Sequence, residues 1–103
     1  MQDHELAGPV SDFPLGSGRA VPIDGVMVAV FRTESGWHAI EDACPHAGAP
    51  LSEGHLEGDC VTCPWHAWRF SIDSGQWEDN PKVAVDTYEV TVADDQVWIK
   101  PND

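Results

Sequence analysis

Four residues in the middle of the chain have the types and spacing to hold metal. They are Cys44 and His46, separated by one residue, and Cys63 and His66, separated by two. Each pair offers one thiolate and one imidazole from a tight loop. Two such loops facing each other make a closed site with two sulfurs and two nitrogens. Two metal groups suit that donor set. A [2Fe–2S] cluster takes two Cys on one iron and two His on the other. A structural Zn²⁺ takes the same four residues in a tetrahedron. Zinc sites of this composition usually place Cys with Cys and His with His. Here each half is mixed, which suits a ligand set split between two irons.

Cys44-Pro45-His46-Ala47-Gly48 and Cys63-Pro64-Trp65-His66-Ala67-Trp68-Arg69-Phe70, continued by Ser71-Ile72-Asp73-Ser74-Gly75, resemble the signature of the Rieske [2Fe–2S] domain family. The resemblance runs roughly from Val10 to Lys100. It is nearer to soluble Rieske-type ferredoxins and Rieske-like nitrite reductase small subunits than to the membrane-anchored respiratory proteins. It implies one [2Fe–2S] cluster, with Cys44 and Cys63 on the inner iron and His46 and His66 on the outer one. It implies single-electron transfer from a reductase to a terminal oxidoreductase such as a ring-hydroxylating oxygenase, with no catalysis by the chain itself. The alternative it carries is a small subunit of an assimilatory nitrite reductase. A zinc-stapled binding module without redox chemistry is the further alternative.

The departures from the family pattern are informative. The respiratory members add one Cys to each ligand loop and tie the loops by a disulfide. Ala49 and Trp65 stand there. Those members also donate Ser and Tyr hydroxyls to the cluster sulfurs. Trp68 and Phe70 occupy the corresponding places and carry no hydroxyl. Fewer donors stabilise the reduced cluster less, so the expected potential lies toward roughly −150 mV, the low end of the Rieske range. The residue after the second His is commonly Gly in the family and is Ala67 here.

Positioning four ligands takes a scaffold. The 103 residues are read as one domain, 1–103, with a cluster-binding subdomain over about 42–72. Eighteen acidic against five basic residues give a formal charge of −13. Such a surface repels nucleic acid and suits a basic surface on a partner protein. Three cysteines make no disulfide framework. The first residues lack a basic, apolar leader, and no run approaches the ~18 apolar residues of a membrane span. The expectation is a soluble, cytoplasmic protein with no membrane partner.

The local patterns predict strands throughout. Val26 to Thr33 is almost wholly apolar and reads as a buried central strand. Asp24-Gly25 signals a hairpin turn before it. Trp37 to Glu41 alternates, with Trp37, Ala39 and Glu41 on one face. Val83 to Val92 and Gln96 to Lys100 form a closing hairpin around Ala93-Asp94-Asp95. Residues Glu78 to Lys82 are expected to be an irregular loop, with Asp79-Asn80-Pro81 packed over the cluster as in Rieske proteins. No segment has sustained helical periodicity. The expected fold is therefore all-β, a Rieske-type antiparallel sandwich or partial barrel with an inserted subdomain of two ligand loops. Cys60 is expected as a buried strand cysteine. Trp65 and Trp68 are expected to shield the cluster from water. His4 and His38 have no ligand-spaced partner and are expected as surface or strand residues, His55 is expected as an exposed loop residue between Glu53 and Glu57, and Glu53, Glu57 and Asp59 form an acidic group between the loops.

Overall fold

A computed structural model describes residues 4–44, 48–65 and 68–101. Strands are the main regular structure of the described residues. In order come β1 (Glu5–Pro9), β2 (Ser17–Ile23), β3 (Val26–Thr33), β4 (Gly36–Glu41), β5 (His55–Glu57), β6 (Cys60–Thr62), β7 (Arg69–Ser71), β8 (Gln76–Trp77), β9 (Asn80–Ala84), β10 (Thr87–Ala93) and β11 (Gln96–Pro101). Single 3-10 turns occupy Val10–Asp12 and Leu51–Glu53.

The strands form two sheets. The larger has the order β1-β11-β10-β4-β3-β2, with each neighbouring pair antiparallel. Its two edge strands, β1 and β2, approach each other, so the sheet curls toward a barrel. The smaller sheet runs β5-β6-β7-β8-β9 and spans His55–Ala84. This is the antiparallel partial barrel with an inserted ligand-bearing sheet that the strand pattern predicts.

Strand β3 explains how the two sheets share one chain. Val28 and Val30 point into the barrel, with Phe13, Val21, Ala39, Val97 and Ile99. Ala29 and Phe31 point the other way, toward Leu51, Val61, Phe70 and Ile72 on the side of the smaller sheet. Burial on both faces removes the polar alternation a half-exposed strand would show. That is why Val26–Thr33 reads as a continuous apolar run. Strand β4 is split in the same way, with Ala39 on the barrel side and Ile40 on the other. Phe31, Leu51, Val61 and Phe70 are each fully buried between the sheets. Each contributes about 1.5–3 kcal/mol to holding the small sheet in place. At the rim, the His38 ring lies between Asp59 (4.0 Å from Nε2) and Asp73 (3.7 Å from Nδ1), both on turns of the small sheet.

Turn chemistry fixes register. Asp24 and Gly25 have φ of 50° and 80°, and Asp94 and Asp95 have 54° and 62°. Two consecutive positive φ values are what a two-residue hairpin turn requires to match strand twist. The closing segment differs from its expectation. Val83–Val92 is not one strand: β9 joins the small sheet and β10 the large one. The break falls at Val85, which is buried and donates its N–H to the Gly75 carbonyl at 2.9 Å. Residues Asn80–Lys82, expected as irregular loop, are the start of β9, and Asp79, Asn80 and Pro81 are all exposed.

Candidate metal centre

Each ligand loop is closed at its base by its own backbone. In the first, the Cys44 N–H donates to the Ala49 carbonyl at 2.9 Å, and the Gly48 N–H donates to the Cys44 carbonyl at 2.7 Å. Gly48 sits at φ 73°, a value that favours glycine. In the second, the Cys63 N–H donates to the Trp68 carbonyl at 2.6 Å. Both closures run from a cysteine to the residue five positions on. The expected His ligands fall inside these closed loops by sequence. His46 and His66 themselves lie outside the described residues, together with Pro45, Ala47 and Ala67.

Cys44 is 1% exposed and Cys63 2%, and both belong to the apolar cluster between the sheets, with Ala49, Leu51, Val61 and Phe70. Two buried thiols from two loops, sharing one apolar wall, fit a group that takes thiolate ligands and offsets their charge with its own. The tip of the second loop faces the opposite way. Pro64 is exposed, and Trp65 is 63% exposed.

A buried carboxylate holds the first loop at its root. Asp42, only 8% exposed, accepts from the Ser52 backbone N–H (2.6 Å) and the Ser52 hydroxyl (2.9 Å). Its own N–H donates to the Met27 carbonyl at 3.0 Å. Asp42 thus ties the chain just before Cys44 to the chain just after Pro50. Sequence reasoning missed this residue. An aspartate in a polar loop carries no spacing signal that distinguishes it from a solvated one.

Gly54 brings the two loops' supports together. It follows the 3-10 turn at Leu51–Glu53, where its N–H donates to the Leu51 carbonyl at 3.0 Å. A Cβ placed on it would collide with the Thr62 carbonyl oxygen, one residue before Cys63. Only glycine permits this approach of the first loop's exit to the strand that delivers the second cysteine.

Trp65 differs from its expected role, while Trp68 and Trp77 pack against the cluster of buried residues that holds both cysteines. Trp68 is half-buried and stacks on Trp77, with ring centroids 3.7 Å apart and planes 6° apart. Trp65 is largely exposed and shields nothing in the described structure.

Cys60 is also not where it was expected. It is partly exposed on the outer face of the small sheet, and its thiol donates to the Glu78 carboxylate. Partial burial first, then the hydrogen bond and charge of Glu78, push its pKa up to about 11. A thiol so strongly protonated is a poor redox partner for Cys63. His55 is exposed beside Glu57 at 3.5 Å, and Glu53, Glu57 and Asp59 are exposed.

The Rieske [2Fe-2S] domain pattern matches residues 4–89. The chain belongs to the Rieske [2Fe–2S] domain family. Its cofactor is accordingly a Rieske-type [2Fe–2S] cluster rather than structural zinc. The chain is 38% identical over 96 residues to the 3-phenylpropionate/cinnamic acid dioxygenase ferredoxin subunit of Shigella flexneri, covering 90% of this chain and 89% of that one. Among solved structures, the complex of reduced oxygenase and oxidized ferredoxin in carbazole 1,9a-dioxygenase contains a chain that superposes with TM-score 0.87 at 31% identity. That match covers 100% of this chain and 99% of the other. An NADH-dependent nitrite reductase small subunit from Mycobacterium tuberculosis superposes with TM-score 0.86 at 28% identity, covering 93% and 92%. The chain also matches Apoptosis-inducing factor 3 of Homo sapiens, at 33% identity, where it spans 15% of that protein's length. Relatives matched over nearly their whole length thus include ferredoxin components, which carry electrons and are not themselves catalytic.

Proposed function

We propose that this chain is a soluble, cytoplasmic Rieske-type ferredoxin that carries single electrons from a reductase to a terminal oxygenase. Residues 1–103 act as one domain, with the cluster-bearing part centred on about 42–72. Cys44 and Cys63 supply the thiolates for one iron, and His46 and His66 the imidazoles for the other. The bound cluster supplies reversible one-electron chemistry. The protein's part is to fix the loops, exclude water from the thiolate side and leave the other side reachable. The observation that carries this reading is the opposed geometry of the second loop: Cys63 is buried at its base while Pro64 and Trp65 are exposed at its tip. An electron carrier needs that polarity, with a rigid protected cluster one loop's depth from a docking partner.

The docking surface in this reading is the loop tip, with Trp65 as an apolar anchor. The charge of −13 steers the carrier toward a basic face on the partner. No helix among the described residues is long and apolar enough to cross a membrane. The structural likeness to a nitrite reductase small subunit favours a second reading, a permanent subunit of a larger reductase.

The test is an optical and EPR spectrum of protein purified without oxygen, before and after dithionite. The expected result is a coloured protein whose reduced state shows a Rieske signal with average g below 2. A colourless, EPR-silent protein with stoichiometric zinc would overturn the proposal. Co-purification with a siroheme enzyme at fixed stoichiometry would move it to the second reading.

A further inference from the structure

Trp77 carries the one buried polar side-chain atom among the described residues that lacks a hydrogen-bond partner, its indole Nε1. A buried N–H without an acceptor loses its bond to water and gains nothing in return. Such an atom in a native core calls for an explanation, and a missing ligand is one.

Its place in the small sheet bears on which ligand. Trp77 pairs with Phe70 across β7 and β8, and Phe70 pairs with Val61 across β6 and β7. Directly paired residues share a face, and so do residues two apart on a strand. Cys63 is two beyond Val61, and Trp68 is two before Phe70. The inner face of the small sheet therefore carries Val61 and Cys63, then Phe70 and Trp68, then Trp77. Cys63 and Trp68 are joined by the 2.6 Å bond that closes the second ligand loop. Trp77 stacks flat on Trp68 and packs against the apolar cluster that contains both Cys44 and Cys63. Opposite parity puts Cys60, Arg69 and Glu78 on the outer face, where Glu78 meets both of the others.

We infer that the indole N–H of Trp77 is a hydrogen-bond donor to the sulfur atoms of the bound cluster, and that Trp77 thereby helps to set its reduction potential. Sulfide and thiolate sulfurs are acceptors, and the apolar wall around Cys44 and Cys63 leaves few competing ones. Donation to sulfur stabilises the more negative, reduced cluster. Trp77 then supplies part of what the hydroxyl-free Trp68 and Phe70 withhold. Trp68 acts as the support that holds the Trp77 ring in place.

The inference rests on the cluster-bearing reading, and the two fail differently. Absence of any Rieske signal on reduction removes that reading. The inference is tested on protein that shows the signal. Protein labelled with ¹⁵N in the tryptophan indoles is reduced, and its hyperfine spectrum is recorded beside its voltammogram. The expected result is an indole ¹⁵N coupling that Trp77→Phe abolishes, with a lower potential in that variant and an unchanged stacking partner. No indole coupling in the parent, or a coupling and potential that persist in Trp77→Phe, would overturn it. Should Trp77→Phe fail to load a cluster, the assignment passes to Trp77→Tyr, which keeps an aromatic ring but has no indole. A coupling that is lost there supports Trp77, and one that persists overturns it.

Discussion

Replacing Gly54 by alanine isolates the contact that lets the two ligand loops meet. Gly54 has φ −75° and ψ 170°, a conformation open to any residue, so alanine brings no backbone strain of its own. The whole effect is steric. The new Cβ would overlap the Thr62 carbonyl oxygen and lie 3.1 Å from its carbon and 3.0 Å from Val61 Cγ2. These are backbone and buried core atoms, not the free end of a flexible chain. Relief requires β6 and the 3-10 turn to separate by on the order of 1 Å, which places the change among overpacked cores at about 1–3 kcal/mol. Because Cys63 follows Thr62 directly, the displacement passes to the second ligand loop. Gly25→Ala is the control. There φ is 80° and nothing lies within 4 Å, so only backbone strain of about 1 kcal/mol applies. Urea unfolding of cluster-loaded protein should show the lower midpoint for Gly54→Ala, by about 1 M against the parent at the m-values usual for small domains. Iron per chain should fall in Gly54→Ala and hold in Gly25→Ala. Parent-like iron content and stability in Gly54→Ala would refute the idea that this close approach positions the second loop.

Other perturbations have defined outcomes. Asp42→Ala leaves the part-buried Ser52 N–H without its acceptor and should cost about 1–3 kcal/mol, with faster cluster loss on chelator challenge. Asp42→Asn keeps one acceptor oxygen and should cost clearly less. Alkylation of Cys60 in loaded protein should be roughly 100-fold slower near pH 8 than for a thiol at the reference value of 9.0, since its pKa is about 11. The folded state holds this proton more tightly than the unfolded chain, so its contribution to stability is complete below pH 9 and lost as pH rises toward 11. Glu78→Gln should recover part of the alkylation rate, burial being the larger cause. Trp65→Ala should weaken binding to the cognate oxygenase by at least tenfold, by surface plasmon resonance, while the potential stays fixed. Voltammetry of the parent should give a potential toward roughly −150 mV, and a value well above zero would count against a donor-poor site.

The legible parts of this fold are those where one face decides the residue. The bounds of β3 follow from its apolar run, and the hairpin turns from Asp24-Gly25 and Asp94-Asp95. Of the residues that the mixed Cys and His pairs single out, Cys44 and Cys63 are both buried in one apolar cluster, while His46 and His66 lie outside the described residues. The break between β9 and β10 has a local mark, a change of phase: the apolar positions are Val83 and Val85 before Asp86-Thr87, and Tyr88, Val90 and Val92 after it. That change of phase does not say that the chain passes from one sheet to the other. The outward aspect of Cys60 was available, though not used. It is three residues from Cys63, and residues an odd number apart on a strand face opposite ways. Trp77 could not be linked to Trp68 without the register of β7 and β8, which a turn ending in Gly75 leaves open.

If Cys44 and Cys63 hold the cluster as proposed, their depth dictates when the protein can be matured. A scaffold that donates iron and sulfide needs direct access to both thiols, and the closed fold leaves them 1% and 2% exposed. Loading therefore belongs to the interval before Leu51, Val61 and Phe70 have packed between the sheets, or to openings of similar extent. The finished protein keeps its cluster for as long as that seam stays shut. Its working lifetime is then a property of the aliphatic and aromatic contacts between two sheets, as much as of the bonds to iron.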